Sequence, residues 1–157
     1  MEIYEKIKTN APEDTERIGR ELAERLLADE TLPRFVALEG DLGVGKTVFV
    51  RGFTSAVAPS AAVRSPTFAL VNEYREKNVK ASLPIYHFDV YRIEDEDDLY
   101  SIGFYDYLDQ NAICLVEWSE NIRYAFPDSY FTVRIEKDDL SNPESRLVSI
   151  FLTKKED

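Results

Sequence analysis

The segment Gly40-Asp41-Leu42-Gly43-Val44-Gly45-Lys46-Thr47 constrains this chain more than any other, because it satisfies every position of the pattern G-x-x-x-x-G-K-[ST]. Gly40, Gly43 and Gly45 let the backbone turn tightly and bring its N–H groups onto an anionic phosphate with no Cβ in the way. Lys46 is a mobile point charge with the reach for β- and γ-phosphates, and Thr47 offers a hydroxyl to Mg²⁺. The flanks agree with this reading. Phe35-Val36-Ala37-Leu38 is an apolar run suited to a buried strand, and Thr47 to Val57 reads as a helix whose N-terminus faces the loop. The bland alternative is a glycine-rich turn with no ligand. Strand, loop and helix in this order weigh against it. The pattern predicts a nucleoside triphosphate held by Gly40 to Thr47, with Asp41, Leu42 and Val44 as part of the cradle.

At 157 residues the chain has the size of one domain, 1–157, with a real core. No apolar stretch approaches the roughly 18 to 20 residues of a membrane span. The start, Met1-Glu2-Ile3-Tyr4-Glu5-Lys6, lacks the apolar core of a signal peptide. Cys114 is the only cysteine, which excludes an intramolecular disulfide and a cysteine zinc site. A reducing cytoplasm is the expected setting. Net charge is −11, with a dense run at Glu94-Asp95-Glu96-Asp97-Asp98. Proteins that grip nucleic acid unaided carry a basic face, so this balance argues against strong, independent RNA or DNA binding. The acidic run reads first as a solvated loop and helix start, and second as a docking patch for a basic partner.

Patterning supplies the remaining elements. Ile3 to Ile7 suits an edge strand. Thr9 or Asn10 is placed to cap a helix with Pro12 in its first turn, and Ile18, Leu22, Leu26 with Ala23 and Leu27 form its apolar stripe. Phe68 to Tyr74, Ile85 to Val90 and Ala112 to Val116 read as strands, with a short helix or two between the last pair. Ser129 to Ile135 and Leu147 to Leu152 form a closing strand pair around a turn at Asn142-Pro143. Helices between early strands, followed by strands in succession, predict an α/β three-layer core of the P-loop NTPase type with a mixed, mainly parallel central sheet.

A phosphate loop of this kind also needs an acid at the end of a neighbouring strand, to hold the Mg²⁺ shell or to position water. Asp89 follows Ile85-Tyr86-His87-Phe88, and Glu117 follows Ile113-Cys114-Leu115-Val116. Pattern alone leaves open which of the two holds the metal and which polarises water. Ser65-Pro66-Thr67 lies just beyond the phosphate-loop helix, where nucleotide switches place a loop that senses the γ-phosphate. Thr67 would supply its hydroxyl to Mg²⁺ or phosphate; a plain turn into a strand is the even alternative. His87, the only histidine, reads as a hydrogen-bonded structural imidazole placed to arrange Asp89 or the attacking water. Trp118 reads either as a cover for the nucleotide or a partner or as a half-buried core residue, and Cys114 as an inert buried thiol.

Gly40 to Thr47, then Ser65-Pro66-Thr67-Phe68, then His87-Phe88-Asp89-Val90-Tyr91-Arg92, then Val116-Glu117-Trp118 together resemble the successive signatures of the TsaE (YjeE) family. Order, spacing and total length all match, although the N-terminal region and the last strands match only loosely. The resemblance implies a Mg²⁺-dependent ATPase of the bacterial machinery that installs threonylcarbamoyladenosine on tRNAs reading codons that begin with A. It implies TsaD and TsaB as partners, tRNA contacted only through them, and ATP hydrolysis that resets TsaD between cycles. It further implies that Thr47 and Glu117 face Mg²⁺, that Asp89 is the other active-site acid, and that Ser65 to Phe68 acts as a switch. Adenine would lie near the N-terminal helix, with Thr9, Asn10 and Thr15 as candidates.

Other classes fit less well. A GTPase commonly reads guanine with an N-K-x-D motif at a strand end, and Asn78 is followed by Val79 and Lys80. A small-molecule kinase usually closes an arginine-rich lid, whereas Arg75, Arg92 and Arg123 are dispersed. A binding module that holds nucleotide without turnover stays open.

Overall fold

The computed structural model describes residues 1–41, 43–66, 70–77 and 82–156. Leu42, Thr67 and Phe68, and the connection through Asn78 and Lys80, lie outside the described residues.

Seven strands form one sheet: β1 (Glu2–Thr9), β2 (Phe35–Glu39), β3 (Val71–Tyr74), β4 (Ile85–Asp89), β5 (Ile113–Glu117), β6 (Tyr130–Lys137) and β7 (Arg146–Thr153), in the spatial order β1-β7-β6-β2-β5-β4-β3. The four central strands, β6, β2, β5 and β4, are mutually parallel. β3 joins one side antiparallel, and β7 then β1 join the other the same way. The sheet is therefore mixed, with its parallel part in the middle. Sequence explains the split. β2, β4 and β5 are short and almost continuously buried, as strands covered on both faces must be. β1 keeps Glu2, Lys6 and Lys8 among its exposed positions, the charged composition expected of an edge.

Helices cover both faces. α1 (Pro12–Ala28) and α2 (Lys46–Val57) lie on one side, where Ile18, Leu22, Leu26, Phe49 and Phe53 pack with Leu38, Ile85, Ile113 and Leu115. On the other side α3 (Glu96–Ser101), α4 (Phe104–Leu108) and a kinked 3₁₀ segment (Ser119–Ala125) bring Leu99, Phe104 and Ile122 against Tyr86, Phe88, Cys114 and Val116. Three layers result. The acidic run is exposed from Glu94 to Asp97 and half-buried at Asp98, and Asp95 caps α3 by accepting the Asp98 amide at 3.0 Å.

Two details of the first helix differ from the sequence expectation. Its N-cap is Ala11, which makes no side-chain cap; Asp14 instead accepts the Asn10 amide at 3.1 Å, and Pro12 has no amide to satisfy. Leu27 is 45% exposed, outside the apolar stripe, because the buried face is carried by Ile18, Leu22, Ala23 and Leu26. The stripe meets α2 at unusually short range. A Cβ on Gly52 would lie 1.8 Å from the Glu16 carbonyl oxygen, and one on Gly19 would lie 2.3 Å from that of Phe49. The helices thus touch backbone to backbone, an approach that only glycine permits.

Candidate nucleotide site

The C-terminal ends of parallel strands are where α/β sheets bind ligands, and β2, β4 and β5 deliver their chemistry there. β2 ends at Glu39 and passes into the glycine-rich loop, which feeds α2 at Lys46. Gly40, Gly43 and Gly45 have φ of 144°, 76° and 110°. These left-handed values are the ones that side chains with a Cβ resist. Gly45 is the residue before the first turn of α2, so the unpaired amides of that turn open toward the loop.

Asp89 and Glu117 stand directly opposite each other across β4 and β5. Both point to the α1–α2 face, like His87 and Leu115 before them. A pocket of about 360 Å³ joins them to the loop. Gly43, Gly45, Lys46 and Thr47 line one side of it, and Ser65, Asp89, Glu117 and Trp118 the other. The phosphate loop, both strand-end acids and the first residue of the expected switch thus share one cavity. Thr67 falls outside the described residues.

The two acids sit in different surroundings. Glu117 is 5% exposed, and its Oε2 lies 2.7 Å from His87 Nε2. Asp89 is half-buried and accepts the Tyr91 amide at 3.0 Å. Burial raises the Asp89 carboxyl above its ordinary value; the Tyr91 amide opposes this, and the neighbouring Glu117 charge adds to the rise. His87 is the buried, hydrogen-bonded imidazole that its place in a strand suggests. It engages Glu117 rather than Asp89, because the strands lie side by side and the ring reaches across.

Lys46 is 6% exposed, donates to the Gly40 carbonyl at 2.7 Å and sits 4.5 Å from the centre of the Trp118 ring. Trp118 is half-buried, packs on Tyr91 with ring centres 4.9 Å apart and planes tilted by 56°, and holds a left-handed backbone (φ 59°). A bulky residue in that region is strained, which is most often seen beside a binding site.

Thr15 is buried and lines a second pocket of about 290 Å³ between the start of α1, the phosphate loop and the β6–β7 connection. Thr9 is buried at the end of β1, 3.5 Å from the Arg146 carbonyl, and Asn10 is exposed. Neither Thr9 nor Asn10 lines that pocket. Two residues emerge here that patterning did not single out. Arg146 donates from Nε to the Val44 carbonyl at 2.8 Å, bracing the phosphate loop from β7. Tyr74 places its hydroxyl 2.9 Å from His87 Nδ1. Both contacts join residues far apart in sequence or across strands, so local pattern carries no sign of them.

Among the described residues no group of three or more His, Cys, Asp or Glu converges as a metal cluster, and no helix is long and apolar enough to cross a membrane. The family described as "Threonylcarbamoyl adenosine biosynthesis protein TsaE" matches residues 9–147. The chain is 41% identical to the tRNA threonylcarbamoyladenosine biosynthesis protein TsaE of Haemophilus influenzae over 82% of this chain and 80% of that one. It is 36% identical to the protein of that name from Bacillus subtilis over 84% and 77% of the two chains. Its fold superimposes on the crystal structure of Bacillus subtilis YdiB with a TM-score of 0.66 and 28% identity, covering 95% of this chain and 84% of that one. The four signatures therefore belong together by descent, and the chain is a member of the TsaE family of threonylcarbamoyl adenosine biosynthesis proteins.

Proposed function

We propose that this protein is a Mg²⁺-dependent ATPase of tRNA threonylcarbamoyladenosine formation, acting with the TsaD–TsaB complex and resetting it between cycles. One observation carries the reading: the phosphate loop, Ser65, Asp89 and Glu117 converge on a single pocket. Lys46 would exchange the Gly40 carbonyl for the β- and γ-phosphates. The donors at hand suit a hard cation. The Thr47 hydroxyl and the Glu117 and Asp89 carboxylates are all oxygen ligands, and Mg²⁺ is usually held through one or two carboxylates together with substrate phosphates. When bound, the ion would neutralise charge on the phosphate oxygens. Glu117, held by His87, is the carboxylate we assign to the metal side, and Asp89, more accessible and with a raised affinity for protons, the one we assign to water. A chain of net charge −11 leaves tRNA contact to its partners.

The test is ATP hydrolysis and tRNA modification with and without TsaD–TsaB, with GTP as competitor. Turnover should be slow alone and rise in the complex. Lys46→Ala should lower it by about 10²–10³-fold, the usual cost of one preorganised charge-stabilising donor. Undiminished hydrolysis and modification by Lys46→Ala would sink the mechanism.

A further inference from the structure

A line of polar contacts, buried at His87 and partly exposed at Arg64, leaves the pocket and returns to it. Glu117 Oε2 lies 2.7 Å from His87 Nε2, and His87 Nδ1 lies 2.9 Å from the Tyr74 hydroxyl. That hydroxyl is 2.8 Å from the Arg64 carbonyl oxygen and accepts the Arg64 amide at 3.2 Å. Asn72 Nδ2 also donates to the Arg64 carbonyl, at 3.0 Å. The next residue, Ser65, lines the same pocket as Glu117. His87 is fully buried and Tyr74 is 4% exposed, so water does not substitute for the two partners of the imidazole.

Counting protons shows how the line holds together. An ionised Glu117 needs a donor, which makes Nε2 carry the imidazole proton. Nδ1 is then an acceptor, and the Tyr74 hydroxyl supplies its hydrogen. The Arg64 carbonyl keeps Asn72 as its donor, and the Tyr74 oxygen keeps the Arg64 amide. Tyr74 has a single hydrogen for Nδ1 at 2.9 Å and for the Arg64 carbonyl at 2.8 Å, and the two acceptors share it. The same contacts fix the tautomer and the ring plane, which is what partners behind a metal-side carboxylate do.

We propose that Tyr74 and His87 are positioning residues that couple the backbone at Arg64-Ser65 to the Glu117 carboxylate, so that the loop opposite the phosphate site and the strand-end acid move as one unit. Neither residue touches phosphate; both act through Glu117. The coupling rests on the reading above for its effect on hydrolysis, but it has a mechanical consequence that does not.

Two measurements separate them. In the nucleotide-free protein, amide hydrogen exchange over residues 60–66 should quicken in His87→Asn and in Glu117→Ala, though neither substitution touches that loop. Exchange there that is unchanged in both overturns the coupling, whatever the turnover. In steady-state hydrolysis, Tyr74→Phe and His87→Asn should lower kcat by about tenfold with KM little changed, the common cost of losing a partner behind a ligand. His87→Gln, whose amide nitrogen replaces Nε2, should keep more of the rate than His87→Asn. Neither Tyr74→Phe nor His87→Asn should lower kcat further in a Glu117→Gln background; additive losses there overturn the proposal. Should Glu117→Gln hydrolyse as fast as the parent, the hydrolytic assignment falls, and the exchange result alone decides the coupling.

Discussion

Along β4 and β5, the side chains that face α1 and α2 change character toward the strand ends, from Ile85, Ile113 and Leu115 to His87, Asp89 and Glu117. Those that face α3 and α4 stay largely apolar: Tyr86 and Phe88 on one strand, Cys114 and Val116 on the other. The same strands thus carry two kinds of face. One has polar groups that must find partners, and it finds them in the His87–Glu117 and Tyr74–His87 contacts. The other has one polar group to satisfy, the Tyr86 hydroxyl, which donates to Gln110 Oε1 at 2.6 Å, and otherwise packs aromatic rings edge to face, as Phe88 does on Phe104 at 5.1 Å. Function and stability are separated by nothing more than the two-residue alternation of a strand.

The contrast should be visible in mutants. Phe88→Ala, on the apolar face, should cost about 3–5 kcal/mol in denaturant unfolding, since a fully buried ring is lost from a close-packed layer. A cost no greater than that of a conservative change at Glu117 would break the comparison. A smaller change of opposite sign is expected from Asp89→Asn on the site face. The Asp89 carboxyl is raised chiefly by burial, so its charged form is disfavoured in the fold. Its contribution to stability is therefore full below the ordinary carboxylate range and is lost as pH rises through the raised value. Asp89→Asn should melt higher than the parent at neutral pH, and the gain should fade in acid; a lower melting temperature at neutral pH would count against the assignment. The smallest effect is on the apolar face again. Burial pushes the Cys114 thiol up to about 12, so an alkylating reagent near neutral pH should label it only in unfolding conditions. Labelling of the native chain would show that this face opens.

Three of the four parallel central strands were legible because Val36 to Leu38 and Ile113 to Val116 are unbroken apolar runs and Ile85 to Phe88 is interrupted only by His87, each ending in a charge or a loop signal; the parallel pairing of β6 with β2 had no such sign. Lys46, Asp89 and Glu117 were legible for the same reason: each stands where a strand or loop of recognisable type ends. The α1 cap and the place of Leu27 were not, since Thr9 is drawn into β1 and the helix presents a narrower face than its apolar content suggests. Tyr74 and Arg146 were beyond reach. Tyr74 looks like any strand tyrosine until β3 pairs with β4, and Arg146 braces Val44 from 102 residues away.

Trp118 lies against Lys46 and is the chain's only indole. Its fluorescence therefore comes from one place, and that place is the ammonium that any phosphate would have to draw away. This gives the protein an optical gauge to try: the emission of a single ring should report whether Lys46 is folded back on Gly40 or engaged elsewhere, with no dye attached and no second tryptophan to blur the signal.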